Sequence, residues 1–118
     1  MSEPALMIVM IDVDAEHEEE LNRWYDEEHV PERMAVPGFL SARRLRSVEG
    51  TQYKYVTIYE LASRDCLDSP EYLSLKTARS AWTARMYSYF KNLSRVVYVE
   101  TSYTSGQQVT PPTLEKKI

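Results

Sequence analysis

Every residue in the stretch 5–11 is apolar, which leaves few folds open to this chain. A strand with one wet face alternates apolar and polar residues, whereas a strand covered on both faces does not. We therefore expect a central strand here, covered on both sides. The run is far shorter than the roughly 20 residues that cross a bilayer, and it lacks the basic start of a signal peptide. The chain is thus expected to be cytoplasmic, without a membrane partner.

Length and charge restrict the function. A chain of 118 residues suits a single domain with one core. Its 18 acidic and 14 basic residues give a net charge of -4, so the attraction to phosphate on which nucleic-acid binders rely is missing. Cys66 is the only cysteine, which excludes an internal disulfide or a multi-cysteine metal centre. We expect no nucleic-acid partner.

Capping and breaking residues mark the helices. Asp14 suits the N-cap of a first helix over residues 15–29, and Pro31 is expected to end that helix. Ser69 followed by Pro70 marks the start of a second helical region that runs to about residue 92. An interruption near Ser80 would divide this region in two.

Three further stretches read as strands. Residues 39–48 and 53–61 are rich in β-formers and flank a short turn with a glycine, which predicts an antiparallel hairpin. Residues 95–103 alternate and predict the last strand. The order strand, helix, strand, strand, helix, strand is that of a ferredoxin-like α+β sandwich, a four-stranded antiparallel sheet with helices on one face.

The other face of this sheet needs a cover. The third strand is apolar or aromatic on both faces, so one of them would be costly to leave in water. We therefore predict a homodimer in which two sheets pack face to face. The domain is expected to span residues 1–104, and the polar tail, 105–118, is expected to pack on the partner subunit.

The candidate site lies near the end of the first predicted helix. At about 100° per residue, Glu28 falls inside the apolar arc of this helix and His29 lies at its edge. A histidine beside an inward carboxylate is a candidate proton-transfer pair, with Glu28 or Tyr25 orienting the imidazole. Trp24, Trp82 and Tyr89 are expected to line the substrate cavity. Since a spare arginine can bind a carboxylate or phenolate, Arg44 is a candidate anion holder.

The carboxylates that precede His29 are unfavourably placed for the end of a helix. Three carboxylates at 26–28 would sit at the negative end of the predicted helix, which disfavours each of them. The same dipole would favour the charged form of His29. An ion pair would compensate for the carboxylates, and the candidate partners are Arg33, Arg43, Arg44 and Arg46.

Plainer interpretations stay open. Glu28 suits a structural ion pair, His29 suits a residue that ends a helix, and the aromatic residues suit a core. Asp26 and His29 have a spacing that could hold a metal, but a third ligand is missing, so no metal site is expected. The chain has no phosphate-binding glycine loop, nucleophile elbow or dinucleotide fingerprint, and no cofactor is expected.

Residues 23–33 (RWYDEEHVPER) and 36–44 (VPGFLSARR) resemble the EthD-like branch of the dimeric α+β barrel superfamily. The resemblance extends to 69–72 (SPEY) and to the region from 82–83 (WT) to Asn92. It implies a homodimer whose paired sheets form a barrel, with a cavity between each sheet and its helices.

Relatives of this kind include cofactor-free cyclases, isomerases, dehydratases and decarboxylases of aromatic, lactone or polyketide-like molecules, and also haem-degrading monooxygenases. In such enzymes a cavity histidine or tyrosine commonly performs the chemistry, which points to His29 and Tyr25. We therefore expect a cofactor-independent lyase, isomerase or cyclase. The alternatives are a non-catalytic metabolite-binding or accessory protein and, further, a cofactor-assisted monooxygenase.

Overall fold

Four strands form one antiparallel sheet in a computed structural model that describes residues 3–50 and 52–107. The strands are β1 (Ala5–Asp12), β2 (Phe39–Arg46), β3 (Tyr55–Leu61) and β4 (Lys91–Val99), in the spatial order β2-β3-β1-β4. The all-apolar strand β1 is central, as its lack of alternation predicts. The predicted ferredoxin-like fold is therefore confirmed.

The helices cover one face of the sheet. The first helical region comprises a 3-10 turn (Ala15–His17), α1 (Glu18–Trp24), a π-helical turn (Tyr25–His29) and α2 (Val30–Met34). A 3-10 turn (Arg64–Asp68) precedes the second region, in which α3 (Pro70–Thr77) and α4 (Ala81–Tyr89) follow one another. None of the helices within the described ranges is long and apolar enough to cross a bilayer.

Two serine caps divide the second helical region. The Ser69 hydroxyl accepts a hydrogen bond from the Tyr72 N–H at 3.2 Å and starts α3. The Ser80 hydroxyl accepts one from the Thr83 N–H at 3.0 Å and starts α4. Each cap satisfies a backbone donor that the first turn of a helix leaves unpaired. The predicted break near Ser80 is confirmed.

The first helical region does not end at His29. It continues through the π-helical turn into α2, and Pro31 lies in the first turn of α2. Proline is tolerated in the first turn of an α-helix, because its missing N–H is at a position where that donor has no partner within the helix. The carboxylates at 26–28 are therefore within a continuous helix, and the predicted conflict with a helix end does not arise.

The last strand begins earlier than predicted. Helix α4 ends at Tyr89, and β4 occupies Lys91–Val99 instead of 95–103. Asn92 adopts a φ of 53° at this transition, and its side-chain amide donates a hydrogen bond to the Asp12 carboxylate at 3.1 Å. This tether to the end of β1 fixes where the strand starts. The hairpin strands are also slightly shorter than predicted.

The core consists of two clusters between the sheet and the helices. One is formed by Ala5, Met7, Val36, Phe39, Tyr59, Leu61, Leu67 and Tyr72. The other is formed by Ile11, Leu21, Trp24, Tyr25, Tyr55 and Met86. The candidate site described below is lined by residues from both clusters.

The opposite face of the sheet is apolar and open. Leu6 and Tyr98 are exposed there on neighbouring strands, with 38% and 57% of their surface accessible, and Ile58 is half-buried beside them. A groove of about 580 Å³ runs over this face. The polar tail predicted at 105–118 lies mostly at residues 108–118, outside the described part of the chain.

A close contact at Gly38 allows a test of the turn before β2. Gly38 has a φ of +97°, and a Cβ atom there would lie 2.9 Å from the Cβ of Cys66. Gly50 has a similar φ of +104° but nothing within 4 Å of such an atom. We expect Gly50→Ala to lower the free energy of unfolding by about 1 to 2 kcal/mol through backbone strain. Gly38→Ala should cost about 1 to 3 kcal/mol more.

Urea unfolding of both variants measures this difference. Since the two glycines share the left-handed conformation, the Gly50 variant is a matched control for backbone strain. Equal losses of stability would show that the contact with Cys66 does not restrain the turn.

Candidate active site

A cavity of about 170 Å³ lies between the sheet and the helices. Its aromatic walls are Trp24, Tyr25, Tyr59, Tyr72, Tyr87 and Phe90. Its basic residues are Arg33, Lys76, Arg79 and Arg95, and the rest of the lining is His29, Met7, Val9 and Leu93. No carboxylate is among these lining residues.

The π-helical turn places His29 in the cavity wall. A π turn has one residue more than an α turn, and this extra residue lets Trp24, Tyr25 and His29 all face inward. The imidazole stacks on the Trp24 ring at a centroid distance of 4.3 Å and meets the Tyr25 ring edge-on at 5.2 Å. It is 7% exposed, and its Nδ1 atom has no hydrogen-bond partner within the described residues.

His29 is neutral at neutral pH. Burial, followed by the positive charges of Arg33, Arg44 and Arg79, lowers the pKa of His29 to about 3. This corrects the prediction that a helix end and nearby carboxylates would favour the charged imidazole. The helix continues past His29, and the charges that act on its pKa are those of three arginines. A neutral imidazole can accept a proton, which is what a general base requires.

Glu28 is held in a hydrogen-bond network instead of an ion pair. Its Oε2 atom accepts hydrogen bonds from the Ser80 hydroxyl at 2.6 Å and the Thr83 hydroxyl at 2.7 Å. The Trp24 indole N–H donates to the same atom at 3.3 Å and to the Thr83 hydroxyl at 3.1 Å. The bonds from Ser80 and Thr83 lower the pKa of Glu28. The predicted arginine partner is therefore wrong: among the described residues Glu28 forms no ion pair, and its Oε2 atom binds these three donors instead.

Glu28 affects His29 only indirectly. The carboxylate is absent from the cavity lining, but it fixes the indole on which the imidazole stacks. It also joins the π-helical turn to the start of α4. Glu28 is therefore a positioning residue in this geometry, and no direct contact between Glu28 and His29 is present to share a proton.

Arg44 lies behind the cavity wall. Its guanidinium stacks over the Tyr25 ring at 4.1 Å, and its Nη1 atom donates a hydrogen bond to the Asn22 side chain at 2.9 Å. Tyr25 is hydrogen-bonded to the buried Thr57, and burial raises the pKa of the Tyr25 hydroxyl. Arg44 does not line the cavity, so it supports Tyr25 instead of facing a ligand there.

Trp82 and Tyr89 also lie outside the cavity lining. The Trp82 indole N–H donates to Glu20 at 3.0 Å, and the Tyr89 ring stacks on His17 at 3.7 Å. Both contacts join α4 to the first helical region. The helical period puts these two residues on the flank of α4, while Tyr87 points towards the cavity. The aromatic residues of α4 therefore lie on two different surfaces of the helix.

Sequence reasoning missed several cavity residues. Arg33 is 8% exposed and lies one helical turn beyond His29, a placement hidden by the expectation that Pro31 ends the helix. Tyr59 follows Thr57 on the helix-facing side of β3, so the alternation of that strand could have indicated it. No group of three metal-binding side chains occurs within residues 3–50 and 52–107.

The four-stranded antiparallel sheet with helices on one face is the ferredoxin-like fold, and several solved structures share it with this chain. A candidate monooxygenase from Shewanella loihica PV-4 is 17% identical, with a TM-score of 0.68 over 87% of this chain and 99% of that chain. A dabb family protein with a ferredoxin-like fold from Mesorhizobium loti is 16% identical, with a TM-score of 0.60 over 85% and 99%. An EthD family protein from Bacillus halodurans C-125 is 11% identical, with a TM-score of 0.60 over 84% and 99%.

The chain belongs to the family described as Domain of unknown function (DUF4286), whose model matches residues 5–102. No curated protein matches the sequence. The EthD branch is thus among the structural neighbours, as the motif at 23–33 suggests. At these identities the similarity shows a shared fold and does not extend to the reaction.

The burial of neutral His29 predicts a dependence of stability on pH. Between pH 6.5 and about 3 the unfolded chain binds a proton at this residue and the folded chain does not. The free energy of unfolding therefore falls as the pH decreases through this window, by about 2 to 3 kcal/mol between pH 7 and pH 4.5. We expect His29→Gln to remove this part of the acid sensitivity.

Urea unfolding at both pH values measures the effect. His17→Gln is the matched control, because His17 is the other histidine and lies outside the cavity. The many carboxylates titrate equally in both variants, so their contribution cancels in the comparison. If the two variants lose the same stability on acidification, His29 is not buried in its neutral form.

Proposed function

We propose that this protein is a cofactor-independent enzyme that moves a proton on a small molecule bound in the cavity, with His29 as the base. The observation that carries the proposal is a buried, neutral imidazole on the cavity wall whose Nδ1 atom has no partner within the described residues. Buried polar atoms are normally hydrogen-bonded, and a group without a partner often has a functional role. The aromatic stacking holds the ring in one orientation.

The proton would move from an acidic C–H or O–H group of the substrate to the imidazole. The electron pair stays on the substrate as an enolate or phenolate, and the positive charges of Arg33 and Arg79 stabilise it. The imidazolium then returns the proton to another atom, which completes an isomerisation or cyclisation. If the substrate instead expels a leaving group, the reaction is that of a lyase.

The same cations adjust the basicity of His29. Their positive charges oppose protonation of the imidazole. A negative charge on the substrate offsets them, so the imidazole becomes a stronger base when the substrate is bound. Trp24 and Tyr25 orient the ring, Glu28 fixes Trp24, and Arg44 supports Tyr25.

We expect His29→Gln to slow proton transfer by about 100-fold or more, which is the contribution typical of a positioned general base. The measurement is solvent deuterium exchange, followed by proton NMR, for a panel of small enolisable ketones and keto acids. His17→Gln should keep the wild-type rate, because His17 stacks on Tyr89 away from the cavity. Equal exchange by wild type and His29→Gln, on every compound that binds, would refute the proposal.

Two alternatives predict other results. A metabolite-binding protein would bind compounds of this panel without exchange that depends on His29. A monooxygenase, favoured by the fold shared with the candidate monooxygenase from Shewanella loihica, would consume oxygen together with its substrate. An oxygen electrode separates that reaction from proton transfer.

We also infer that the working form is a homodimer. The exposed Leu6 and Tyr98 and the groove on the open face of the sheet support this, since apolar patches of this kind mark protein interfaces. A second copy of the chain would cover the face with an identical apolar surface.

A charge on this face tests the dimer. We expect Leu6→Glu to convert the wild-type dimer into a monomer, because a carboxylate buried between two sheets lacks a partner. Leu73→Glu is the control: Leu73 is also exposed, at 47%, but it lies on α3. Size-exclusion chromatography with light scattering gives the masses. A monomeric wild type, or a dimer of Leu6→Glu, would contradict this inference.

A further inference from the structure

The cationic residues of the cavity are not neutralised by the protein. The ion pairs among the described residues involve His17, Arg23, Lys54, Arg64, Arg85 and Lys91. The four cations that line the cavity, Arg33, Lys76, Arg79 and Arg95, form no ion pair with a described carboxylate.

Arg33 is the most informative of these residues. It is 8% exposed, yet its neighbour Glu32 does not come within ion-pair distance of it. A buried charge without a counter-ion is unfavourable. A binding site for an anion explains why the chain places a guanidinium at this position.

Three of the cations surround one aromatic ring. The Arg33 guanidinium lies 5.8 Å and the Lys76 ammonium 5.7 Å from the centroid of Tyr72. Arg95 donates a hydrogen bond to the Tyr72 hydroxyl at 3.3 Å. Lys76 and Arg95 are exposed and Arg33 is buried, so the cluster reaches from the rim of the cavity to its interior. We call these three cations the Tyr72 cluster.

A second polar group without a partner belongs to a residue that lines the same cavity. The hydroxyl of Tyr59 has no hydrogen-bond partner within the described residues, although this side chain is only 1% exposed. Burial raises the pKa of this hydroxyl, so it remains protonated and can donate a hydrogen bond. Tyr59 and Arg33 both line the cavity, and an anion there would satisfy both.

The dimensions of the cavity restrict the rest of the ligand. Its volume of about 170 Å³ is below the roughly 300 to 1,000 Å³ typical of pockets for drug-sized molecules. Aromatic side chains make up much of its wall, and such walls favour a flat ring that stacks against them. A compact, single-ring molecule fits both limits.

We propose that the cavity binds a small aromatic carboxylic acid whose carboxylate is held by the Tyr72 cluster and the Tyr59 hydroxyl. The proposal deepens the proposed function, on which it rests for the view that the cavity holds a small molecule. With the carboxylate at the Tyr72 cluster, Arg79, whose guanidinium lies 4.3 Å from the Tyr87 ring, remains for charge that develops near His29.

Benzoate and its neutral analogue benzamide are the probes for this inference. We expect benzoate to bind at least about 10-fold more tightly than benzamide, as is typical when a charged hydrogen bond is lost. Titration followed by protein NMR gives both dissociation constants and locates the bound probe. Equal affinities for the two probes would overturn the proposal.

Charge removal locates the carboxylate. We expect Lys76→Met and Arg95→Met to weaken benzoate binding by about 3- to 10-fold and Arg33→Met by about 10-fold or more. The two exposed positions keep the test valid if the buried variant does not fold. Arg64→Met is the control, because Arg64 is exposed and paired with Asp68 at 2.6 Å outside the cavity. Equal weakening by Arg64→Met would show a non-specific charge effect and refute the site.

Two further arms separate the possible failures. Inorganic phosphate that displaces benzoate with higher affinity would show a plain anion site and overturn the aromatic part of the proposal. If benzoate binds but deuterium exchange does not depend on His29, the proposed function is refuted and the carboxylate site is not. If the protein catalyses His29-dependent deuterium exchange on neutral substrates but does not bind benzoate, only the carboxylate site is refuted.

Discussion

The candidate site depends on the hydrogen bonds that Glu28 accepts. Its carboxylate joins the π-helical turn to the cap of α4 through Ser80 and Thr83, and it fixes the indole of Trp24. Because the imidazole of His29 stacks on that indole, one acidic group sets both the distance between the two helical regions and the orientation of the proposed base. A carboxylate with several donors is also strongly held in its charged form, which keeps the network intact near neutral pH.

The neutral state of the His29 imidazole also depends on where the neighbouring carboxylates bind. Two of the acidic residues near it in sequence bind other partners: Glu28 binds Ser80 and Thr83, and Glu27 pairs with Arg23 at 3.5 Å. The charges that remain effective at the imidazole are positive. The local sequence is therefore acidic while the local electrostatic environment is basic, and a substrate that carries negative charge suits this environment.

The fold could be predicted from sequence because each element has its own signal. The unalternating strand β1, the Ser69 cap and the turn at Gly38 act over a few residues, and the structure contains all three. The site was harder to predict, since Pro31 ordinarily ends a helix and here follows a π-helical turn. That turn extends the helix to Arg33 and changes which residues face inward. Hydrogen-bond partners from α4, distant in sequence, could not be read from local patterns.

The burial of Arg33 without an ion-pair partner has an energetic consequence for the protein. A buried guanidinium without an ion-pair partner reduces the stability of the folded state. A molecule that supplies the missing negative charge binds only the folded chain and raises its melting temperature in proportion to the logarithm of its concentration. Candidate substrates can therefore be found by thermal stability, before any reaction has been observed.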